Sequence, residues 1–136
     1  MKSLVYLILL LLALNSPISY AQLPEVQQAG GITYISGGIG DDESDAIQAE
    51  AKKWPLMLQF SQIDQRGWGS WISGVNVKIF NSQKQEILNV VCDGPFLLLG
   101  LKPGTYVIDA TYEGVSQQKN VIMKLGPPES LSIYWK

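Results

Sequence analysis

The chain has 136 residues, of which 46% are hydrophobic, and its 10 basic and 12 acidic residues give a formal net charge of −2 at pH 7. With Arg66 as the single arginine and no basic cluster, the sequence argues against nucleic acid as a partner, because that affinity depends on clustered Lys and Arg. The chain has no histidine, which excludes Ser-His-Asp and Cys-His nucleophiles and every zinc site that uses imidazole. We therefore expect a protein that is not an enzyme and has no catalytic residues, cofactor or metal.

The first 21 residues have the pattern of a secretory signal peptide. Lys2 provides a positive charge, residues 4–14 are almost entirely apolar, and small residues precede a cleavage point after Ala21. The apolar run is shorter than the roughly 20 residues that a membrane-spanning helix needs. We expect cleavage after Ala21, a mature chain beginning at Gln22 with no stable membrane insertion, and a periplasmic or secreted location.

Residues 22–31 are polar and show no periodicity, which predicts a flexible leader. The following segment, residues 32–36, is short and rich in strand-forming residues, and it leads into the glycine-rich segment 37–40. The predicted domain organisation is therefore a signal peptide over 1–21, a leader over 22–31 and one folded domain over 32–136.

One helix is predicted over about 42–54. Asp41 is a suitable N-cap, acidic residues fill the first turn, and two lysines lie in the last turn, as the helix dipole favours. Ile47, Ala51 and Trp54 follow at i, i+4 and i+7 and form a narrow apolar stripe. Pro55 ends the helix, because the residue before a proline is disfavoured in the α region.

The rest of the chain alternates between apolar and polar residues, with Gly, Pro and Asn turns between the segments. Strands are predicted around 56–61, 75–79, 87–92, 96–99, 105–112, 118–125 and 131–135. The segment 87–92 is apolar on both sides and is predicted to be a central strand. This pattern favours a mainly β domain, a single antiparallel β-sandwich of about seven to eight strands with one short N-terminal α-helix.

Cys92 is the only cysteine, so an internal disulfide is excluded. It lies at the end of an apolar run, which indicates a small buried side chain. The alternative is a thiol that pairs with another chain.

Three blocks of the sequence belong together, namely residues 73–79, residues 93–96, and residues 101–114, which begin with Leu-Lys-Pro-Gly-Thr-Tyr. These blocks resemble the carboxypeptidase regulatory-like domains, which are transthyretin-like (prealbumin-like) β-sandwiches. The resemblance implies this fold and a non-catalytic role, since in carboxypeptidases the domain accompanies a separate zinc peptidase domain. That peptidase domain is not found here, so a role toward it is not carried over. Hydrolases of the same fold depend on histidines, which this chain lacks.

The segment before the helix, together with the helix, looks like the front part of small bacterial exported proteins that carry such a domain. Within the turn of the third block, Pro103 and Gly104 suit the two central positions. Tyr106 is expected on the buried face, where its hydroxyl needs a hydrogen-bond partner near the edge of the domain.

The glycine-rich segment 37–40 invites comparison with a phosphate-binding loop, since helix N-termini bind anions. The next residues are Asp41, Asp42 and Glu43, which repel phosphate, and no P-loop lysine follows. The same acidic residues with Asp45 offer oxygen ligands for calcium, but their spacing does not match an EF-hand loop and helix capping explains the charges. A structural turn is the expected role of this segment.

Arg66, Trp68 and Trp71 form the candidate binding surface. The two tryptophans are flanked by glycines and are suited to a flat aromatic platform for a sugar or a peptide, with a polar contact from Arg66. Alternatively, Trp71 begins a strand and folds over the end of the core while Trp68 caps the loop, or the segment makes an oligomer contact.

The expected function is a non-catalytic exported module of the cell envelope that binds an unidentified protein or glycan. The alternative is a purely structural or self-assembling envelope accessory.

Overall fold

The computed structural model describes residues 22–136, so the predicted signal peptide lies outside the described part of the chain. Strands make up 52% of these residues, and the protein is therefore mainly β. In chain order the elements are β1 (Gln27–Ala29), β2 (Ile32–Gly37), α1 (Asp41–Glu50), β3 (Leu56–Ile63), β4 (Gly69–Trp71), β5 (Asn76–Phe80), β6 (Glu86–Val91), β7 (Phe96–Leu99), β8 (Gly104–Tyr112), β9 (Val115–Met123) and β10 (Glu129–Trp135).

The strands form two sheets. The six-stranded sheet has the order β1-β2-β7-β3-β10, and β4 pairs with the C-terminal end of β3. β7 and β4 lie end to end on the same side of β3, because β10 occupies the other side. The four-stranded sheet has the order β6-β5-β8-β9.

The larger hydrophobic core is formed by residues of both sheets. Alternate residues of the longer strands enter it, as expected where one face of a strand is buried. From the six-stranded sheet they include Leu56, Leu58, Phe60 and Ile133, and from the four-stranded sheet Val77, Ile79, Ile108 and Ala110, all at or near 0% exposure. Burial of each Val, Leu, Ile or Phe side chain among them stabilises the fold by about 1.5–3 kcal/mol relative to leaving it exposed.

A second, smaller core lies on the opposite face of the six-stranded sheet, under α1. Ile47 and Ala51 of the helical segment pack there against Phe96, Leu98 and Met57 of the sheet. The apolar stripe predicted for the helix therefore meets the face of the sheet. Because β7 is covered on both faces, all of its side chains are buried.

The helix differs from the prediction in its bounds. The α-helix begins at Asp41, with Gly40 rather than Asp41 at the N-cap, and it ends at Glu50. A 3₁₀ turn continues over Ala51–Lys53. The last turn tightens in this way because terminal carbonyls gain i+3 partners, as in the bond from the Trp54 amide to the Ala51 carbonyl oxygen (3.1 Å). Trp54, which precedes Pro55, is extended, as predicted.

The sheets differ from the prediction of a wholly antiparallel domain of seven to eight strands. β10 pairs with β3 in parallel, because the chain returns from the four-stranded sheet through residues 124–128 and enters β10 in the direction of β3. The described residues form ten strands, of which β1 and β4 have three residues each. β1 lies within the predicted leader and pairs with β2.

The prediction of a central strand over 87–92 is wrong. β6 lies at the edge of the four-stranded sheet, and Val91 at its end is exposed. The strand buried on both faces is β7. The expectation for Tyr106 is confirmed, since its hydroxyl donates to the Lys102 carbonyl oxygen at 2.8 Å and ties the start of β8 to the preceding turn.

Candidate binding surface

The β3–β4 connection carries Arg66 and Trp68, and Asp64 holds its shape. Oδ1 of Asp64 accepts hydrogen bonds from the backbone amides of Arg66 (2.9 Å) and Trp68 (3.0 Å). The backbone of Asp64 also donates to the Trp68 carbonyl oxygen at 2.9 Å and accepts from the Gly67 amide at 3.0 Å. Gly67 has a φ of 84°, a conformation in which glycine is favoured. Asp64 was not singled out from the sequence, although an Asp three residues before a Gly is a turn signal.

Arg66 lies on the outside of this connection. Its guanidinium is 3.5 Å from Oδ2 of Asp64, and both side chains are largely exposed, so the ion pair contributes little to stability. The Arg66 side chain is therefore accessible to solvent.

The two tryptophans of the predicted platform are in different settings. Trp68 is 72% exposed in the connection, whereas Trp71 is 56% exposed at the end of β4. The Trp71 ring packs on Phe96, with ring centroids 5.0 Å apart and an interplanar angle of 52°. Because the residues are three positions apart along an extended hairpin arm, their side chains point to opposite faces of the sheet. The two indoles therefore do not form one platform.

A different pair of aromatic residues shares a face with a serine between them. Ser61 of β3 is the register partner of Trp71 of β4 on one side and of Tyr134 of β10 on the other. Residues directly opposite in a sheet project to the same face. Tyr134 lies between the buried Ile133 and Trp135, so it points away from the shared core. We call Trp71, Ser61 and Tyr134 the aromatic row.

The aromatic row lies on the half of the sheet face that α1 leaves uncovered. The next row of the face contains Phe96, Gln59 and Ser132, and the row beyond contains Leu98, Met57 and Ser130. The helix packs over Phe96, Leu98 and Met57. On the β3–β10 side the face is therefore polar and uncharged, and Tyr134 is 46% exposed.

The β2–α1 loop borders this face next to Trp71. Gly38 has a φ of 102°, and a Cβ there would lie 2.3 Å from the Phe96 ring, so only glycine allows the loop to lie against this ring. A shallow cavity separates the loop from β4 and is lined by Ile39, Trp71, Ser73 and Pro95, among others. Ile39 is 63% exposed, which extends the apolar surface beside Trp71.

The acidic residues at the start of α1 act locally. Glu43 turns back and accepts a hydrogen bond from the Gly38 amide at 2.9 Å, so this carboxylate occupies a donor that a phosphate would need. Asp41, Asp42 and Asp45 are exposed. Among residues 22–136, no group of three or more His, Cys, Asp or Glu side chains is placed to hold a metal ion.

Cys92 is a buried free thiol, as predicted. Burial raises its pKa from 9.0 to about 12, and the neighbouring Ser36 hydroxyl opposes this shift only in part. The same Ser36 hydroxyl accepts a hydrogen bond from the Asp93 amide at 2.7 Å and so links β2 to the segment before β7. A thiol in this state is a packing residue rather than a nucleophile.

A comparison of this chain with protein-family models and with curated proteins gave no match. Within the part of the chain that the structure describes, no helix has the length and apolar character needed to cross a membrane.

Proposed function

We propose that this protein is a non-catalytic, exported module of the cell envelope, built as a transthyretin-like β-sandwich, that binds a partner through the uncovered face of its six-stranded sheet. The observation that carries the proposal is the aromatic row, where Trp71 and Tyr134 are 56% and 46% exposed on the part of the sheet face that α1 leaves uncovered. Tryptophan and tyrosine are the residues that most often dominate binding energies at interfaces.

The support of the row by regular strands favours a binding role. Trp71 packs on Phe96, which is itself fully buried, so the orientation of the indole is restrained from below. A side chain that is already ordered loses less conformational entropy on binding. Arg66 lies on the adjacent hairpin with an exposed side chain and is placed to extend the contact, whereas Trp68 faces the other side of the sheet and lies outside it.

The second candidate is a structural accessory that assembles by pairing of strand edges. β9 is a nine-residue edge strand with Val115 and Ile122 exposed, which favours such pairing. Two features oppose it. Lys119 lies opposite the buried Ile108 and so faces inward at the centre of this edge. The Gln117 side chain donates to the Tyr134 carbonyl oxygen and caps part of the edge of β10.

Export is tested by the mature N-terminus. The full-length chain is expressed in a bacterial host and recovered from the periplasm or the medium. Intact-mass spectrometry is expected to give a chain that begins at Gln22. A chain that keeps residues 1–21 and stays in the cytoplasm would contradict an exported module.

Binding is tested by co-sedimentation of residues 22–136 with isolated cell envelopes. We expect saturable retention of the natural chain and loss of retention in a Trp71→Ala, Tyr134→Ser double variant. The matched control is Trp68→Ala, which removes an equally large and more exposed indole from the other face. Equal thermal midpoints establish that the variants are folded. Absence of retention, or equal retention of the double variant, would refute this function.

A further inference from the structure

We propose that the aromatic row binds a neutral, extended, β-linked glycan, with Trp71 and Tyr134 stacking on sugar rings and Ser61 between them contacting hydroxyl groups. This inference rests on the binding function proposed above and specifies the chemical class of its ligand.

The chemistry of the row matches a pyranose ring. One face of a β-linked sugar presents C–H groups, while its edges carry hydroxyl groups, so it needs an aromatic surface and neutral hydrogen-bonding partners close together. Aromatic faces carry partial negative charge and attract such C–H groups. Trp71 and Tyr134 offer two partly exposed rings. The hydroxyl of Ser61 and, one row away, Gln59 and Ser132 offer donors and acceptors.

The spacing of the row suits a chain rather than a single sugar. Trp71 and Tyr134 lie on strands two apart in the sheet, so their Cα atoms are about 10 Å from each other at the usual strand separation of about 4.8 Å. This separation allows alternate rings of an extended β-linked chain to stack on the two aromatic residues. A helically coiled α-linked chain does not present alternate rings on one flat side.

The charge of the face argues for a neutral ligand. No Lys, Arg, Asp or Glu occurs in the three cross-strand rows that contain Trp71, Phe96 and Leu98. At the margins of the face lie one basic and one acidic residue, Lys136 after β10 and Asp41 in the cavity beside Trp71, and they do not form a cluster of one sign. An anionic polymer is normally held by clustered basic residues, which are missing from these rows. A glycan made of neutral hexoses or N-acetylhexosamines needs no such charges.

The shape of the surface allows a polymer to pass across it. The row crosses from β4, over β3, to β10, which is the edge strand of the sheet. On the β4 side it opens into the shallow cavity beside Ile39 and Pro95. Because the row ends at a sheet edge on one side and continues into a shallow cavity on the other, the ligand is expected to be bound along its length rather than at its terminus.

The experiment is isothermal titration of residues 22–136 with three soluble hexasaccharides, namely cellohexaose, chitohexaose and α-linked maltohexaose. At least one β-linked probe is expected to bind, and maltohexaose is expected to bind about tenfold more weakly or not at all. Trp71→Ala and, independently, Tyr134→Ser should each weaken binding by about tenfold or more, as for a central aromatic contact. Trp71→Phe should retain more affinity than Trp71→Ala. Trp68→Ala should stay within about twofold of the natural chain, as for an uninvolved surface residue.

The following outcomes would contradict the inference that the ligand is a glycan. If no β-linked probe binds but envelope retention still depends on Trp71 and is lost after protease treatment of the envelopes, the glycan inference fails and the binding function stands with a protein partner. If retention is absent as well, both fail. If Trp68→Ala weakens glycan binding as much as Trp71→Ala, the hairpin rather than the aromatic row is the site, and the inference is wrong.

Discussion

At the scale of single residues, Asp64 illustrates how one exposed side chain fixes a connection. Its Oδ1 accepts from two backbone amides that otherwise have only water as a partner, those of Arg66 and Trp68. The hydrogen bonds depend on an acceptor oxygen and not on charge, because the ion pair with Arg66 is exposed and weak.

We therefore predict that Asp64→Ala lowers the free energy of unfolding by about 0.5–1.5 kcal/mol, the range for lost hydrogen bonds. It should also accelerate hydrogen exchange at the Trp68 amide. Asp64→Asn, which keeps Oδ1, should retain most of both properties. Urea denaturation and amide exchange measure the effects. If Asp64→Asn lost as much stability and amide protection as Asp64→Ala, the negative charge rather than the acceptor oxygen would hold the connection.

Cys92 gives a prediction on pH. Its pKa is raised from 9.0 to about 12 by burial, so the folded protein holds the thiol proton more tightly than the unfolded chain does. This contribution to stability is fully present below pH 9 and is lost as the pH rises toward 12. We expect alkylation of Cys92 at pH 8 to be negligible in the native protein and fast in denaturant. A Cys92→Ala variant should lose less stability between pH 9 and pH 11, as followed by thermal melting. Rapid alkylation of the native protein would show that the thiol is accessible, and would support the alternative that Cys92 pairs with another chain.

At the scale of elements, Ile47 is the one buried side chain within α1 and provides its main apolar contact with the sheet. Ile47 is fully buried between the helix and the sheet, whereas Gln48 beside it is exposed. We predict that Ile47→Ala lowers the free energy of unfolding by about 2–4 kcal/mol through lost burial and a residual cavity. Gln48→Ala, on the solvent side of the same helix, should change it by less than about 0.5 kcal/mol. Urea denaturation of both variants tests this, and a similar small effect of both would mean that α1 is held by other contacts.

The elements also differ in how well the sequence predicted them. The helix stripe was predictable because Ile47 and Ala51 follow the helical period and Pro55 forces an end. The central strand was not, because residues 87–92 and β7 are both short apolar runs, and such runs show no periodicity that separates a central strand from an edge strand. β7 is central because it pairs with both β2 and β3, and its outer face is buried by α1; both are tertiary contacts. The parallel pairing of β10 with β3 likewise depends on a tertiary feature, the path by which the chain returns to the six-stranded sheet. The apolar and polar residues of β10 alternate in the same way whether the strand runs parallel or antiparallel to its neighbour.

At the scale of the whole molecule, the candidate site is assembled from distant parts of the chain. Ser61, Trp71 and Tyr134 become neighbours only because β4 and β10 flank β3. From the sequence, Trp71 was predicted as a site residue together with Trp68, because both belong to the glycine-containing segment 66–71 and are close along the chain. Tyr134 gave no signal beyond the alternation of β10, since exposure of one strand face depends on α1 covering only the other half of the sheet.

The edges of the two sheets give the last prediction. Lys119 faces inward at the centre of β9, where a docking strand would force its ammonium group into an apolar junction, and inward charges of this kind protect natural sheets from edge pairing. We predict that residues 22–136 are monomeric and that Lys119→Val associates at high concentration, as measured by sedimentation velocity. Lys124→Val removes the same charge from an exposed position just after β9 and should remain monomeric. If the natural chain already assembles, the structural accessory becomes the better function. If Lys119→Val stays monomeric, the bonds from Gln117 and Trp135 that join β9 to β10 are what protect this edge.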